Sequence, residues 1–192
     1  MRHFYQRLLV LITALMLLAW PFLVWFGLAH NGLHWLLPVM ALLLVFRLGQ
    51  VRRRTGPLRL VALSVAAVGL VLCVASFVLR THQLLLFYPV VVNLVMLVLF
   101  GGSLFTTMPL VERIARLKEP QLPPEGVRYT RRVTQIWCVF FVANGSIALG
   151  TALSGDLALW TTWNGLIAYF LMGGLMAGEW LVRRRVMKRE RP

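Results

Sequence analysis

The chain has 192 residues, 59% of them hydrophobic and 14% charged, with a mean hydropathy of +0.77. A soluble domain carries about a quarter charged residues and a disordered chain is poor in apolar ones, so composition excludes both classes. Twenty Lys and Arg against six Asp and Glu give a net charge of +14. These basic residues occupy short gaps between long apolar runs, which points to a membrane surface and not to nucleic acid.

In chain order, Arg7 and Arg47 bracket 39 uncharged residues. As one helix this stretch would be about 58 Å long, roughly twice the hydrocarbon thickness, so it must fold back. Ala29-His30-Asn31-Gly32 supplies the turn, because Asn-Gly favours positive φ. Two spans result, near 8–28 and 33–46. The first is too long for a secretory leader, contains Pro21 and lacks a convincing small-x-small cleavage site before Asn31, so an uncleaved anchor is expected. Charges at Arg59 and Arg80 bracket a third span at 60–79, and a fourth follows at 84–105. Arg132, Asp156 and Glu179 bracket a fifth at 133–153 and a sixth at 157–182, with Asp156 capping the sixth. The expected fold is an all-α polytopic bundle of six transmembrane helices in one domain, 1–192. With both termini inside, nineteen of the twenty basic residues fall on the cytoplasmic side and Arg80 alone falls outside.

Between the fourth and fifth spans, 109–118 reads as a short amphipathic helix. Pro109 suits its first position, Glu112 pairs with Arg116, and Leu110, Val111, Ile114 and Leu117 form an apolar stripe opposite the charges. Such a segment lies in the headgroup plane, and the Pro-rich stretch 119–126 then ends it. A surface linker and a partner-binding loop are both compatible with this pattern.

Inside the apolar runs the polar groups are few. Asn93, Asn144 and Asn164 all fall about 10–14 Å below the outer surface, on three different spans. Two readings stand side by side. One is a polar clamp that packs helices, in which the amides satisfy each other. The other is the floor of a cavity lined also by Tyr88, Tyr169, Trp160 and Trp163. Gly145 and Gly165 follow two of the asparagines and are expected to bring spans five and six close, with Gly173, Gly174 and Gly178 extending the small-residue face. At the cytoplasmic edge, Glu179 is a candidate ion-pair partner for Arg183 or, more deeply, for Arg132 or Arg131. Most of the tryptophans, Trp20, Trp25, Trp35, Trp160, Trp163 and Trp180, read as an interfacial belt.

Other chemistry has little support. Cys73 and Cys138 differ in depth by roughly 12 Å, too far for a disulfide within one molecule. His30 and His34 have helical spacing but no third ligand nearby, so no metal is expected. The sequence holds no phosphate-binding glycine loop, nucleophile elbow or zinc-protease motif, and no cofactor is expected.

The second half carries a resemblance. Phe87-Tyr88-Pro89-Val90-Val91-Val92-Asn93 is followed by Pro109-Leu110-Val111-Glu112-Arg113-Ile114-Ala115-Arg116. Then come Pro123-Pro124-Glu125-Gly126-Val127-Arg128-Tyr129-Thr130-Arg131-Arg132, Trp137-Cys138-x-Phe140-Phe141-x-x-Asn144-Gly145, Trp163-Asn164-Gly165 and Gly178-Glu179-x-Leu181-Val182-Arg183. From Leu84 to Val186 this order resembles a family of Gram-negative inner-membrane proteins often encoded beside genes for aryl-polyene or xanthomonadin-type pigments. It is distantly similar to the intracellular septation protein A family, usually described with five spans. The resemblance implies a role in envelope maintenance or envelope lipids and brings no catalytic residue.

Three functions follow as expectations. The first is a non-enzymatic envelope protein acting with envelope-biogenesis partners and with anionic headgroups on its cytoplasmic face. The second is a small transporter or lipid flippase using the asparagine layer, with Pro21 and Pro38 as hints of broken helices. The third, an intramembrane enzyme, lacks an acid–base pair within one layer.

Overall fold

The computed structural model describes residues 19–30, 33–52, 56–81 and 83–189, apart from the side chains of 28, 33–36 and 183–189. The described chain is all-helical. α1 spans Trp20–Ala29, α2 Leu33–Arg52 and α3 Arg59–Val78. A 3₁₀ turn, Gln83–Phe87, leads into α4, Tyr88–Ser103. A short α5, Leu110–Arg116, precedes the long α6, Pro124–Leu153. The last rod is composite: α7, Leu157–Thr162, a π-helical segment, Trp163–Ile167, and α8, Ala168–Arg189. Among the described residues, four helical stretches are long and apolar enough to cross a membrane: Arg59–Val78, Gln83–Ser103, Pro124–Leu153 and Leu157–Val182.

Helix boundaries differ from the charge brackets for a physical reason. α2 continues past Arg47 to Arg52, six residues beyond its expected end, and α6 begins at Pro124, nine before Val133. Charges mark where the hydrocarbon ends, but a guanidinium on a long stem does not stop a helix. Pro124 in the first turn needs no hydrogen-bond partner for its nitrogen, so the helix starts there and Arg128, Arg131 and Arg132 ride on its extension. Pro89 has no N–H for a helical bond to Leu85, and α4 accordingly restarts at Tyr88 after the 3₁₀ turn. Pro38 lies within α2 without dividing it. Asp156 caps α7 as expected, its Oδ1 accepting from Ala158 N at 2.9 Å and Leu159 N at 3.0 Å. The first expected span is described only from residue 19, and the Asn31-Gly32 turn lies outside the described residues.

Two apolar clusters hold the bundle. One joins α1, α2 and α3 to the 3₁₀ turn and α7 through Trp20, Val24, Leu44, Cys73, Leu85 and Trp160. The other seats α5 on α4 and α6 through Phe100, Leu110, Val111, Val133 and Phe141. Phe100, Trp137, Phe140 and Phe141 make a chain of ring contacts there, with Phe100 edge-on to Phe141 at 5.2 Å.

α5 departs from the expected amphipathic pattern. It runs only from Leu110 to Arg116, with Pro109 as its N-cap, and it packs inward, with Leu117 exposed beyond its end. Glu112, expected among the outward charges, is 2% exposed. Its Oε1 receives Arg116 Nε at 2.8 Å and the second guanidinium nitrogen at 2.7 Å. The connection is tied down further: Ser103 Oγ accepts from Leu110 N, Arg113 donates to Met108 O and Thr106 Oγ1, and Arg131 donates to Leu104 O. Two tryptophans assigned to the interfacial belt are core residues, Trp20 at 2% and Trp160 at 1% exposure, while Trp25 and Trp180 are exposed. Burial leaves the Trp160 indole N–H satisfied, since its Nε1 donates to Leu86 O, 2.9 Å away.

Candidate functional site: a polar cavity between the helices

Asn93, one turn into α4, and Asn144, two-thirds along α6, face each other at the most extensive helix contact of the fold. Asn144 Nδ2 donates to Asn93 Oδ1 at 3.1 Å, and Asn93 Nδ2 donates to Pro89 O at 2.8 Å. Trp163 Nε1 in turn donates to Asn144 Oδ1 at 3.2 Å. The result is a one-directional chain of donors from the π segment through α6 to α4, with both amides buried.

Close approach makes this possible. A Cβ added at Gly145 would lie 3.0 Å from Asn93 Cβ, and one at Gly165 would lie 2.9 Å from Phe22 Cζ. The glycines therefore admit α4 and α1 respectively, and do not press the fifth and sixth spans together as expected. Gly173, Gly174 and Gly178 have open space beside them.

Asn164 belongs to the same wall but not to the same hydrogen-bond chain. Its Nδ2 donates to Trp160 O at 2.9 Å and Thr151 Oγ1 at 3.2 Å. It sits in the π segment, whose wide turn re-aims a side chain within an otherwise continuous rod. The same Asn-Gly pair at Asn144-Gly145 leaves α6 a regular helix, so the pair alone does not signal that irregularity.

A cavity of about 340 Å³ opens between these elements. Asn93, Asn144, Asn164, Tyr88 and Tyr169 all line it, whereas Trp160 and Trp163, also expected on its wall, do not. Trp20, stacked on Tyr88 with ring centroids 4.2 Å apart, closes one side. Val65, Val92 and Met172 supply apolar wall, and the half-buried Arg47 supplies a cation. Trp20 and Arg47 were not expected here; Trp20 was assigned to the interface, and Arg47 to the cytoplasmic loop. Two lining residues each carry a polar atom buried behind the wall without a partner, Asn164 Oδ1 and Trp20 Nε1. One is an acceptor and the other a donor. The volume falls within the range of small-molecule sites, whose walls are mainly apolar with a few placed polar groups.

Arg132 is exposed on α6, Glu179 is half-buried on α8, and the Arg183 side chain lies outside the described residues. Tyr129 links the two helices here, its hydroxyl donating to the Glu179 backbone carbonyl at 2.9 Å. His30 Nδ1 contacts Phe26 O at 3.1 Å and its ring stacks on Phe26. No group of three His, Cys, Asp or Glu able to hold a metal occurs among the described residues. Cys73 and Cys138 are both free thiols.

Comparison with known proteins finds no matching family model, curated protein or solved structure.

Proposed function

We propose that this chain is a non-enzymatic protein of the bacterial inner membrane, with six spans and both termini cytoplasmic, that supports cell-envelope biogenesis by holding part of a lipid-linked product. The observation that carries this reading is the convergence of three amides and two phenols on one cavity with apolar walls. Amides, phenols and a guanidinium bind and orient amphipathic molecules. The basic loops favour the proposed orientation and an anionic cytoplasmic leaflet.

A second reading, transport of that product across the bilayer, is favoured by a specific feature. Arg47 and Val65 line this cavity and also a second one of about 520 Å³ beside α2 and α3, so the two sites share a wall.

Lipid and pigment analysis of a deletion strain tests both readings. Complementation by wild type, but not by well-expressed Asn93→Leu or Asn164→Leu, supports the cavity. A lipid-linked intermediate held on the inner leaflet in those strains supports transport. Full complementation by both variants overturns a role for the cavity and leaves the amides as packing groups.

A further inference from the structure

The second cavity carries a separate assignment. It lies where α2 ends and α3 begins, and Arg47 and Arg59 are its basic lining residues. Its remaining walls are mainly apolar: Leu58, Val61 and Val65 from the α3 side and Leu117 from beyond α5. Leu58 and Leu117 are 50% and 66% exposed, so the apolar rim opens outward. Gly56, with φ of 132°, turns the chain into α3, and no side chain caps that helix.

We propose that this cavity is a discrete site for the phosphodiester headgroup of one anionic phospholipid. Guanidinium forks match the paired oxygens of a phosphate, and their charge complements its own. The uncapped start of α3 adds a positive potential of the same sense. The apolar rim gives the glycerol and proximal acyl carbons a surface, which a free phosphate would leave unused. Diffuse attraction to a basic face needs no cavity and has no stoichiometry; this site binds one lipid. Its placement in the cytoplasmic leaflet rests on the proposed orientation, whereas the pairing of Arg47 and Arg59 with phosphate does not.

Native mass spectrometry of the full chain in detergent, titrated with phosphatidylglycerol, phosphatidylcholine or inorganic phosphate, tests the site. Arg59 is the residue to change, because Arg47 also lines the cavity beside Asn93. Wild type retains one phosphatidylglycerol in preference to phosphatidylcholine. Arg59→Gln weakens that binding about fivefold, the equivalent of roughly 1 kcal/mol for one basic residue. Arg59→Lys falls between, and Arg80→Gln, beyond the other end of α3, changes nothing. Unaltered helical circular dichroism and elution volume show that the variants fold. Equal binding of the two lipids, equal losses in Arg59→Gln and Arg80→Gln, or displacement by inorganic phosphate at lipid concentration would each overturn the proposal. A reporter-fusion topology map separately tests the orientation, so failure of either claim is told apart.

Discussion

At the scale of single residues, the amide pair and its glycine make the clearest predictions. Asn93 and Asn144 are coupled directly, and such bonds within membrane bundles contribute about 0.6 kcal/mol on average. A double-mutant cycle with Asn93→Ala and Asn144→Ala, read by reversible unfolding in micelles, is expected to give a coupling near that value. Asn164→Ala paired with Asn93→Ala is expected to be additive, because those side chains share no hydrogen bond. Gly145→Ala and Gly165→Ala look alike in sequence and differ in structure. At Gly145 the new methyl meets Asn93 Cβ, an atom fixed to the α4 backbone. The helices must part, at about 1–3 kcal/mol. At Gly165 it meets the far edge of Phe22, a ring 46% exposed that can swing away, and alanine's better helix propensity offsets the shift. The same unfolding assay should show Gly145→Ala clearly destabilised and Gly165→Ala nearly neutral.

At the scale of elements, the buried Glu112 decides how the connection between α4 and α6 behaves. Removing one partner of a buried ion pair strands the other. Glu112 is 2% exposed, whereas the Arg116 side chain keeps 29% of its surface and can turn to water. Arg116→Ala is therefore expected to cost more than Glu112→Ala, about 3 kcal/mol, and to open the segment to trypsin at Arg113 and Lys118. Equal protection of the two variants would contradict this asymmetry. The inward turn of Glu112 was not legible in the sequence, since a seven-residue helix has too few turns to define a face. The helix cores of 59–78 and 84–103 were legible from charge spacing. The extensions to Arg52 and back to Pro124 were not, because the bracket reports the hydrocarbon edge and helices cross it. The π segment was not legible either, because Asn164-Gly165 lies in it while the same pair at Asn144-Gly145 lies in the regular α6.

At the scale of the whole molecule, the site was legible in outline because burying an amide in an apolar run is costly, so three at one depth mark a shared environment. Its far side was not legible: Trp20 and Arg47 reach the cavity from the N-terminal helices, and no spacing rule links them to Asn93. The proposed topology places Arg80 outside and the α5 connection inside. Cysteine substituted at exposed Thr107 should be protected from an impermeant thiol reagent in intact cells, and cysteine at Ser154 labelled; the reverse pattern would invert the bundle.

The most direct test of the central claim, that the cavity holds a selected lipid-linked molecule, is photo-crosslinking from Met172. This side chain lines the cavity, whereas Phe170 on the same helix is 73% exposed and samples whatever surrounds the bundle. A photoreactive residue at each position, activated in cells and read by mass spectrometry of the adducts, separates site from surroundings. The account predicts that adducts at position 172 are enriched in one lipid-linked species and lose that enrichment when Asn93→Leu is added. Identical adduct profiles at 170 and 172 would contradict it.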